Sequence, residues 1–266
     1  MLELSFEEGA VADDSALPAL PAELALAWGR APTAQRGPRR EYSLDQVLDA
    51  ALAIADADGI DAVTMPAVAA SLGLTAMSLY RYVGSKDTLV LLLQERATGA
   101  PPAAVARAEG WRAKLEAHAS ASAEVYRRHP WMLDIPIRGI TSTPNNLAWF
   151  DAGLAALDGT GLTEQERIAV VLEVTGHARF HAAIERGYQQ RAGATGEEPL
   201  QVVEAEARLL AQLVTARRFP ALHAALTSGA LVDTSFDSAE FGLARLLDGV
   251  EHSIVRSANG PRPTAR

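Results

Sequence analysis

The amino-acid sequence lacks several features on which common protein activities depend. It has no cysteine among its 266 residues, which excludes disulfide bonds, thiolate metal ligands and a cysteine nucleophile. No apolar run approaches the roughly 18–20 residues that a membrane-spanning helix needs. The opening residues carry carboxylates where a secretory signal peptide carries bases. We therefore expect a cytoplasmic protein that makes no membrane contact.

Aromatic residues and lysine are also scarce. Aromatic residues make up 6% of the chain, and two lysines stand against 22 arginines. Alanine makes up about a fifth of the chain, and both alanine and arginine favour helix. The sequence has no strand-like alternation joined by hairpin turns. Because 48% of the residues are hydrophobic and can fill a core, the composition predicts an all-α fold.

The net charge of −9 would, taken as an average, argue against binding to nucleic acid. The charges are segregated along the chain, however. Residues 1–29 hold six acids and no base, and residues 30–40 hold four arginines and no acid. Residues 62–86 contain Arg81 and Lys86 and no carboxylate. DNA phosphates would therefore meet no like charge in this last segment.

Caps, glycines and prolines predict where the helices begin and end. A first helix follows the N-cap Ser43 and ends at Asp58-Gly59, and Gly99–Pro102 separates an N-terminal group of helices from a longer C-terminal group. The chain then divides into an N-terminal extension with a basic arm at 1–40, expected to be mobile, helical domains at 41–98 and 99–257, and a tail at 258–266. The predicted helices are 43–58, 66–71, 75–82, a fourth from 85, 111–128, 144–157, 163–190, 200–217, 220–226 and 236–255, and 22–28 could form a short one.

The segment Met65 to Val83 has the dimensions of a helix-turn-helix, the motif that places a second helix in the DNA major groove. Its inner face is apolar, supplied by Val68, Leu72, Leu74 and Leu79. The side chains left pointing outward are Thr75, Ala76, Met77, Ser78, Arg81 and Tyr82.

The residue types in this region are a more specific signal than the spacing of its two helices. The stretch from Gly59 to Leu93 closely resembles the DNA-binding domain of the TetR (tetracycline-repressor-like) transcriptional regulators, above all in the string LG-x-x-x-x-S-L-Y-x-Y-V-x-x-K-x-x-L from Leu72 to Leu89. The preceding SLDQVLDAALAIADADG resembles the first helix of the family. Later pieces resemble the tetracycline-repressor type of C-terminal domain: HPWMLDIP, PNNLAWFDAGLAAL, GLTEQERIAVVLEV and FGLARLLDGVE. The resemblance covers roughly residues 43–256.

This resemblance implies a non-enzymatic homodimer whose recognition helices enter successive major grooves of a palindromic operator, 41–98 being the DNA-binding domain. It implies that Ala76, Met77, Ser78 and Tyr80 face bases or nearby backbone, and that Tyr80, Arg81, Tyr82 and Lys86 mainly bind phosphates. Thr64 and Met65 would occupy a further contact position. Tyrosine hydroxyls and lysine suit phosphate, and a methionine can touch a thymine methyl. Packing against neighbouring helices is a compatible role for Tyr80 and Tyr82.

The arginine arm before the first helix is a second candidate contact with DNA, although it also fits a solvated linker. Arg36, Arg39 and Arg40 lie in residues 30–40, which contain no acid. Basic N-terminal arms can reach a minor groove or the flanking phosphates. We hypothesise that these arginines add non-specific affinity for DNA.

The resemblance also implies an effector pocket in the domain at 99–257, where ligand binding changes the distance between the recognition helices. Aromatic side chains with a few polar groups suit a small organic ligand, and each candidate could equally be ordinary core. No cofactor is expected. The candidate lining residues are Trp111, Trp131, Met132, Trp149, Phe150, Glu173, His177, Phe180 and His181.

Glu173, His177 and His181 lie four residues apart and share one helix face. That spacing can bind a divalent metal, but pocket polarity or a surface hydrogen bond is the interpretation we favour, because Ala178 follows His177 where the metalloprotease signature has glutamate. Two alternatives to a regulator therefore remain. One is a helical enzyme with a metal or acid–base site at these three residues, and the other is a helical interaction protein that does not bind DNA.

The final predicted helix carries an apolar stripe beside two glycines. Glycine inside a helix costs about 1 kcal/mol relative to alanine, so we expect another helix to approach closely at these glycines. The resemblance implies that this helix and 163–190 form a four-helix dimer interface across a two-fold axis. The residues expected at this interface are Gly242, Leu243, Leu247, Gly249, Val250 and Ile254.

Overall fold

The computed structural model describes residues 20–30 and 41–258, and throughout these ranges the regular structure is helical. This confirms the all-α fold class. The chain divides into two units. The first contains the described residues up to Gly99 together with Ile140–Leu147, and the second contains Ala100–Gly139 and the described residues from Ala148 onward.

The N-terminal unit is built from short helices with clear caps. Helix α1 is Ala22–Ala27, α2 is Leu44–Asp58, α3 is Met65–Ser71, α4 is Ala76–Val83 and α5 is Lys86–Thr98, with a 3₁₀ turn at Ile60–Ala62. Ser43 and Gln46 form a capping box at the start of α2, in which each side chain accepts from the other's backbone N–H. Gly59, with φ of 85°, ends the same helix.

Apolar residues from α2, α3, α4 and α5 meet in one core. Val47, Val68, Leu79, Leu89 and Leu93 are completely buried there. They recur at three- and four-residue spacing within their helices, which turns one face of each helix inward. The core therefore fixes which face of α4 is left outside.

Part of the N-terminal extension is a packed element of this unit. Helix α1 lies against α5, and the indole Nε1 of Trp28 donates to the carbonyl of Ser142 at 3.0 Å. The expectation of a mobile extension is therefore corrected for residues 22–28. Ser142 lies in Ile140–Leu147, which belongs to the N-terminal unit. The domain boundary predicted between residues 98 and 99 places this segment in the C-terminal domain instead.

The C-terminal unit contains longer helices. They are α6 Ala103–Arg107, α7 Gly110–Arg128, α8 Pro144–Ala156, α9 Glu164–Thr195, α10 Pro199–Leu213, α11 Pro220–Thr227 and α12 Ser238–Ala258, with a 3₁₀ helix at Pro130–Asp134. The first turn of α8, up to Leu147, belongs to the N-terminal unit.

The core of the C-terminal unit draws on α7, α8, α9 and α12. Its most deeply buried side chains include Leu115, Leu157, Val174 and Leu247. Gly153 allows α8 to come close to α9, because a Cβ at this position would lie 2.8 Å from Cγ1 of Val171. Within the described ranges, no helix combines the length and apolar character needed to cross a membrane.

Candidate DNA interface and effector site

The second helix of the helix-turn-helix, α4, is set in place by local backbone features. Gly73 has φ of 67° in the turn that leads from α3, a conformation that costs most other residues energy. Thr75 then caps α4, its hydroxyl accepting from the N–H of Ser78 at 3.2 Å. Thr64 caps α3 in the same way through the N–H of Ala67. Both caps satisfy N–H groups that a helix start leaves unpaired.

The outer face of α4 carries side chains suited to DNA. Met77 is 70% exposed and Tyr80 is 44% exposed. Arg81 and Thr75 are exposed as well, while Ala76 and Ser78 are half-buried. This face offers one guanidinium, one phenol and hydroxyls, and it carries no carboxylate.

Lys86 extends this face at the start of the next helix. It is exposed and occupies the first residue of α5, directly after the N-cap Ser85. The hydroxyl of Ser85 accepts from the N–H of Thr88 at 3.0 Å. Lys86 thus stands beside a helix N-terminus, where the positive end of the helix dipole also favours an anion.

Two of the predicted DNA-contacting side chains lie inside the N-terminal unit instead. Met65 is 4% exposed and Tyr82 is 7% exposed. The hydroxyl of Tyr82 accepts from the backbone N–H of Tyr42 at 3.3 Å, which links α4 to the entry of α2. The side chain of Thr64, half-buried, is occupied as the cap of α3. Arg36, Arg39 and Arg40 lie outside the described residues.

In the C-terminal unit, the aromatic residues predicted to line a pocket contribute largely to the core. Trp131, Met132 and Trp149 are buried. Trp111 and Phe150 are partly buried and pack against the core cluster. The ring of Trp149 contacts a buried polar group, His118, as described below.

The other predicted pocket residues, Glu173, His177, Phe180 and His181, all lie on α9. Glu173 and Phe180 are exposed. His177 Nε2 lies 2.9 Å from the carbonyl of Ala239, and its ring centroid is 4.4 Å from that of His181. Burial, followed by the neighbouring His177, lowers the pKa of His181. Among the residues that the structure describes, no group of histidine and carboxylate side chains has a metal-binding arrangement.

His118 is the buried polar residue that the sequence analysis did not select. It lies on α7, is 2% exposed, and its Nδ1 is buried without a hydrogen-bond partner. Burial lowers the pKa of His118 to about 4, so the imidazole is neutral at pH 7. Its ring meets that of Trp149 edge-on at 5.3 Å. The signal was present in the sequence, because His118 and Ser122 place polar groups in the helix stripe that begins with the apolar Leu115.

The residues expected at a dimer interface divide between the two faces of α12. Leu247 and Val250 are buried in the chain's own core, and Leu243 and Ile254 pack against it. A Cβ on Gly242 would lie 2.8 Å from Cε1 of His177, so this glycine accommodates a neighbour within the chain. Gly249 is exposed, and a Cβ there would meet nothing within 4 Å.

Two surface hollows also lie within single units. One of about 460 Å³ lies in the C-terminal unit, where Tyr188, Leu200 and Leu231 contribute to its lining. The other, about 550 Å³, lies between α1, α2 and α5 of the N-terminal unit. Neither is lined by a predicted effector residue or by His118.

These features together define a helix-turn-helix DNA-binding protein with a second helical domain, and the comparisons with known proteins specify the family. Residues 47–93 match the model described as bacterial regulatory proteins of the tetR family, and residues 105–254 match the tetracyclin repressor-like C-terminal domain. The chain therefore belongs to the TetR family and is a DNA-binding transcription regulator, not an enzyme.

Named relatives agree with this assignment. The chain is 36% identical over 247 residues to the HTH-type transcriptional repressor DrrR1 of Streptomyces coeruleorubidus, covering 90% of this chain and 88% of that protein. It is 25% identical over 248 residues to an HTH-type transcriptional repressor of Mycobacterium tuberculosis, covering 87% and 91%.

Solved structures share the fold. Apo ActR from Streptomyces coelicolor superposes with a TM-score of 0.65 at 21% identity, covering 84% of this chain and 100% of that chain. The complex of ActR with actinorhodin superposes with a TM-score of 0.62 at 21% identity, covering 80% and 98%.

Proposed function

We propose that this regulator is a homodimeric repressor that binds a palindromic operator and is released from it by a small organic effector. The observation that carries the proposal is the outer face of α4, which presents Met77, Tyr80 and Arg81 without any acid. A cytoplasmic location, where the operator would be found, is part of the proposal.

The DNA face favours phosphate contacts over extensive base readout. Arg81 is the one exposed side chain of α4 able to make a bidentate contact with guanine. Tyr80 and Lys86 suit phosphates, which position a protein on the duplex without specifying sequence. A single short helix of this kind reads few bases, so two copies on a palindrome are needed to reach useful specificity.

An exposed apolar stripe on α9 supports the dimer. Ile168, Leu172, Phe180 and Ile184 follow one another at four-residue steps, with Gly176 between them, and all are exposed in the single chain. Contiguous apolar surface of this kind marks an interaction site.

Helix α12, which packs beside α9, adds to this surface. Phe241 and Val255 are exposed on it, and Gly249 leaves open space between them along the helix. A second copy of the chain, packed with the same two helices, would cover both surfaces in a four-helix interface.

The effector site that we propose lies at His118 and Trp149. A buried imidazole nitrogen without a partner, such as Nδ1 of His118, costs free energy until a hydrogen-bonding group reaches it. Trp149, whose ring meets that of His118 in a T-shaped contact, also suits an aromatic ligand. A flat aromatic compound that carries a carbonyl or hydroxyl group therefore fits this chemistry, and the fold neighbour ActR is known in complex with actinorhodin.

The central test is selection of binding sites from random DNA, followed by measurement of the affinity for the selected duplex. We expect recovery of a short palindrome bound by two chains. Arg81→Ala should weaken binding strongly, whereas Arg107→Ala, at an exposed arginine of α6, should leave it unchanged. Failure to select any palindrome would refute the DNA-binding part and favour an interaction protein.

Release of the selected duplex by a panel of aromatic compounds, with actinorhodin included, tests the effector part. A compound that weakens DNA binding by a given factor must bind the free protein more tightly than the DNA complex by the same factor. The two effects are equal because they are thermodynamically linked. His118→Leu should abolish release while leaving operator affinity in the absence of compound unchanged. Release by the same compound from the His118→Leu variant would place the effector elsewhere.

A further inference from the structure

The residues that precede the first described helix combine acids with apolar side chains. Residues 1–19, which lie outside the described residues, hold five acids and no base. Four large apolar side chains occur among the first six residues. We call residues 1–19 the acidic segment. A segment with charge of one sign often binds a surface of the opposite sign. Its acids are Glu3, Glu7, Glu8, Asp13 and Asp14, and the four apolar residues are Met1, Leu2, Leu4 and Phe6.

The outer face of α4, with Lys86 beside it, carries the opposite charge. Arg81 and Lys86 are both exposed, and in the described part of the chain neither is paired with an acid. Arginines elsewhere, such as Arg96, Arg112 and Arg186, form ion pairs with carboxylates. The positive charge of the DNA face is therefore available to another anion when DNA is absent.

The same face exposes apolar surface. Met77 is 70% exposed, more than any other large apolar side chain described in the N-terminal unit, and Tyr80 is exposed beside it. Apolar surface next to cations suits a ligand that carries both apolar and acidic groups. Leu4 and Phe6, with glutamates next to them in the sequence, provide this combination.

The acidic segment can reach this face, because it is attached to the same unit through α1. Leu26 of α1 and Leu44 of α2 line one hollow. Just before Leu44, the backbone N–H of Tyr42 donates to the hydroxyl of Tyr82 on α4. The distance from α1 to the outer face of α4 is therefore on the order of 20–25 Å, or two helix diameters. Residues 1–19 can extend over as much as about 60 Å.

We propose that the acidic segment occupies the outer face of α4 in the free protein and competes with DNA for it. Its carboxylates pair with Arg81 and Lys86, and its apolar side chains cover Met77. The inference rests on the proposed function, since competition has a meaning only if this face binds DNA. Occupancy of the face, however, can be measured without DNA.

The size of the effect follows from the tether. A short tether gives the acidic segment an effective concentration on the order of 1 mM at the face. A Kd of about 0.1–0.5 mM for the segment lies at or beyond the weak end of non-specific binding to DNA. Competition at these values weakens DNA binding by about threefold to tenfold.

Oxidation of Met77 by peroxide, followed by mass spectrometry, measures whether the face is covered. Met65 and Met132 are buried and serve as references within the same chain. The full chain is compared with a chain that lacks residues 1–19, which keeps α1. We expect Met77 to oxidise about threefold to tenfold faster without the acidic segment. The difference should shrink at about 1 M salt, where the screening length is about 3 Å.

Substitutions on the face test where the acidic segment binds. In the Arg81→Ala/Lys86→Ala chain, deletion of residues 1–19 should have no further effect on Met77 oxidation, because the acids have lost their partners. The matched control is Arg107→Ala/Arg138→Ala, which removes the same charge at two exposed arginines of the C-terminal unit. Deletion should keep its full effect in that control.

Substitutions in the acidic segment test its chemistry. Glu7→Gln/Glu8→Gln should speed Met77 oxidation and tighten operator binding, as deletion does. The control Glu116→Gln/Asp151→Asn makes the same change of net charge at exposed acids of α7 and α8 and should alter neither.

Operator titration gives the functional readout. We expect the chain without residues 1–19 to bind the selected duplex about threefold to tenfold more tightly at low salt. The gain should decrease between about 50 and 200 mM salt, because salt weakens the competing contact as well as the contact with DNA.

The outcomes separate the two proposals. Equal oxidation of Met77 with and without the acidic segment would overturn the inference even if deletion tightens operator binding. The acids would then act by repelling DNA or on the arginines of residues 30–40. A deletion effect that persists in Arg81→Ala/Lys86→Ala would also overturn it. Absence of any operator would overturn the proposed function, while Met77 oxidation would still decide whether the face is covered.

Discussion

At the scale of single residues, Tyr80 and Tyr82 show how two identical side chains two positions apart serve different ends. Tyr80 lies on the exposed face of α4, and Tyr82 lies in the core with its hydroxyl bound to the Tyr42 N–H. We predict that Tyr80→Phe weakens operator binding and leaves the free energy of unfolding unchanged.

Tyr82→Phe should do the reverse, lowering the free energy of unfolding by about 0.5–1.5 kcal/mol for one lost hydrogen bond. Denaturant unfolding and operator titration of both variants measure the two effects. A Tyr82→Phe chain of full stability with impaired DNA binding would contradict this division.

The face of Tyr82 could have been derived from the sequence. Leu79, Tyr82 and Val83 are spaced three and four apart, which is the spacing of one helix face. Helix spacing assigns Met77 and Tyr80 to the other face. The resemblance to the family named both tyrosines as contacts, and it does not by itself separate an exposed side chain from a buried one.

The lowered pKa of buried His118 predicts that the free energy of unfolding depends on pH. Its pKa is lowered from 6.5 to about 4 by burial, so between these values the unfolded chain binds a proton that the folded chain excludes. Stability is therefore retained above pH 6.5 and falls as the pH decreases toward 4, by about 3 kcal/mol for this group. Unfolding free energies measured at pH 7 and at pH 4.5 in wild type and His118→Leu test this.

The His118→Leu variant should lose distinctly less stability over that range than wild type. His252→Gln is the control, because His252 is exposed on α12 and its replacement should keep the wild-type loss. An identical loss in wild type and His118→Leu would show that His118 is not the responsible group.

At the scale of elements, helix starts could be predicted more accurately than helix ends. Ser43, Thr75 and Thr163 cap the helices that the sequence places after them, because a capping hydroxyl acts within three residues. The end of α9 was predicted at Gln190 but lies at Thr195, where Gly196 adopts a left-handed conformation. Helix α6, five residues long, carries no periodic pattern long enough to be recognised.

Backbone conformation predicts opposite outcomes for two glycines with equal space around them. Gly73 has a positive φ between α3 and α4, whereas Gly187 lies inside α9. A Cβ on either glycine would meet nothing within 4 Å. Gly73→Ala should lower the free energy of unfolding by roughly 1–2 kcal/mol through left-handed strain. Gly187→Ala should raise it by about 0.5–1 kcal/mol, since alanine favours helix.

Thermal and denaturant unfolding of these two single variants provide the measurement. Because neither added methyl group makes a contact, a difference in sign can come only from the backbone. A stabilised Gly73→Ala chain would mean that the turn between α3 and α4 relaxes into another conformation. The start of α4 would then not be held in the conformation that the structure shows.

At the scale of the whole molecule, the distribution of charge matters more than its sum. If Arg36, Arg39 and Arg40 contact phosphates, replacing all three by glutamine should reduce the slope of log affinity against log salt by up to about 3. These substitutions are preferable to deletion of residues 1–40, because deletion would also remove α1 from its place on α5. Operator titrations between 50 and 200 mM salt measure the slope, and an unchanged slope would contradict a role for the arm.

At the proposed dimer surface, sequence periodicity does not distinguish the outer face of α12 from the inner one. The apolar stripe that includes Leu247 and Val250 is the inner face of α12. The sequence could not predict this, because a helix with apolar residues on two sides gives no indication of which side packs against its own chain. Gly242 and Gly249 lie seven residues apart and look equivalent in sequence. The structure separates them through His177, which occupies the space beside Gly242 alone.

This difference sharpens the test of dimerisation. Gly249→Leu adds a side chain to open space in the single chain, so the fold should tolerate it, whereas a closely packed partner helix would be pushed away at a cost of about 1–3 kcal/mol. Gly193→Leu, at another exposed glycine of α9 with nothing within 4 Å, is the control. Sedimentation across micromolar concentrations should show a weakened dimer only for Gly249→Leu. The melting temperature of the Gly249→Leu monomer should be unchanged. A Gly249→Leu protein as dimeric as the control would mean that partners meet on another surface, and the apolar stripe of α9 would then need a different occupant.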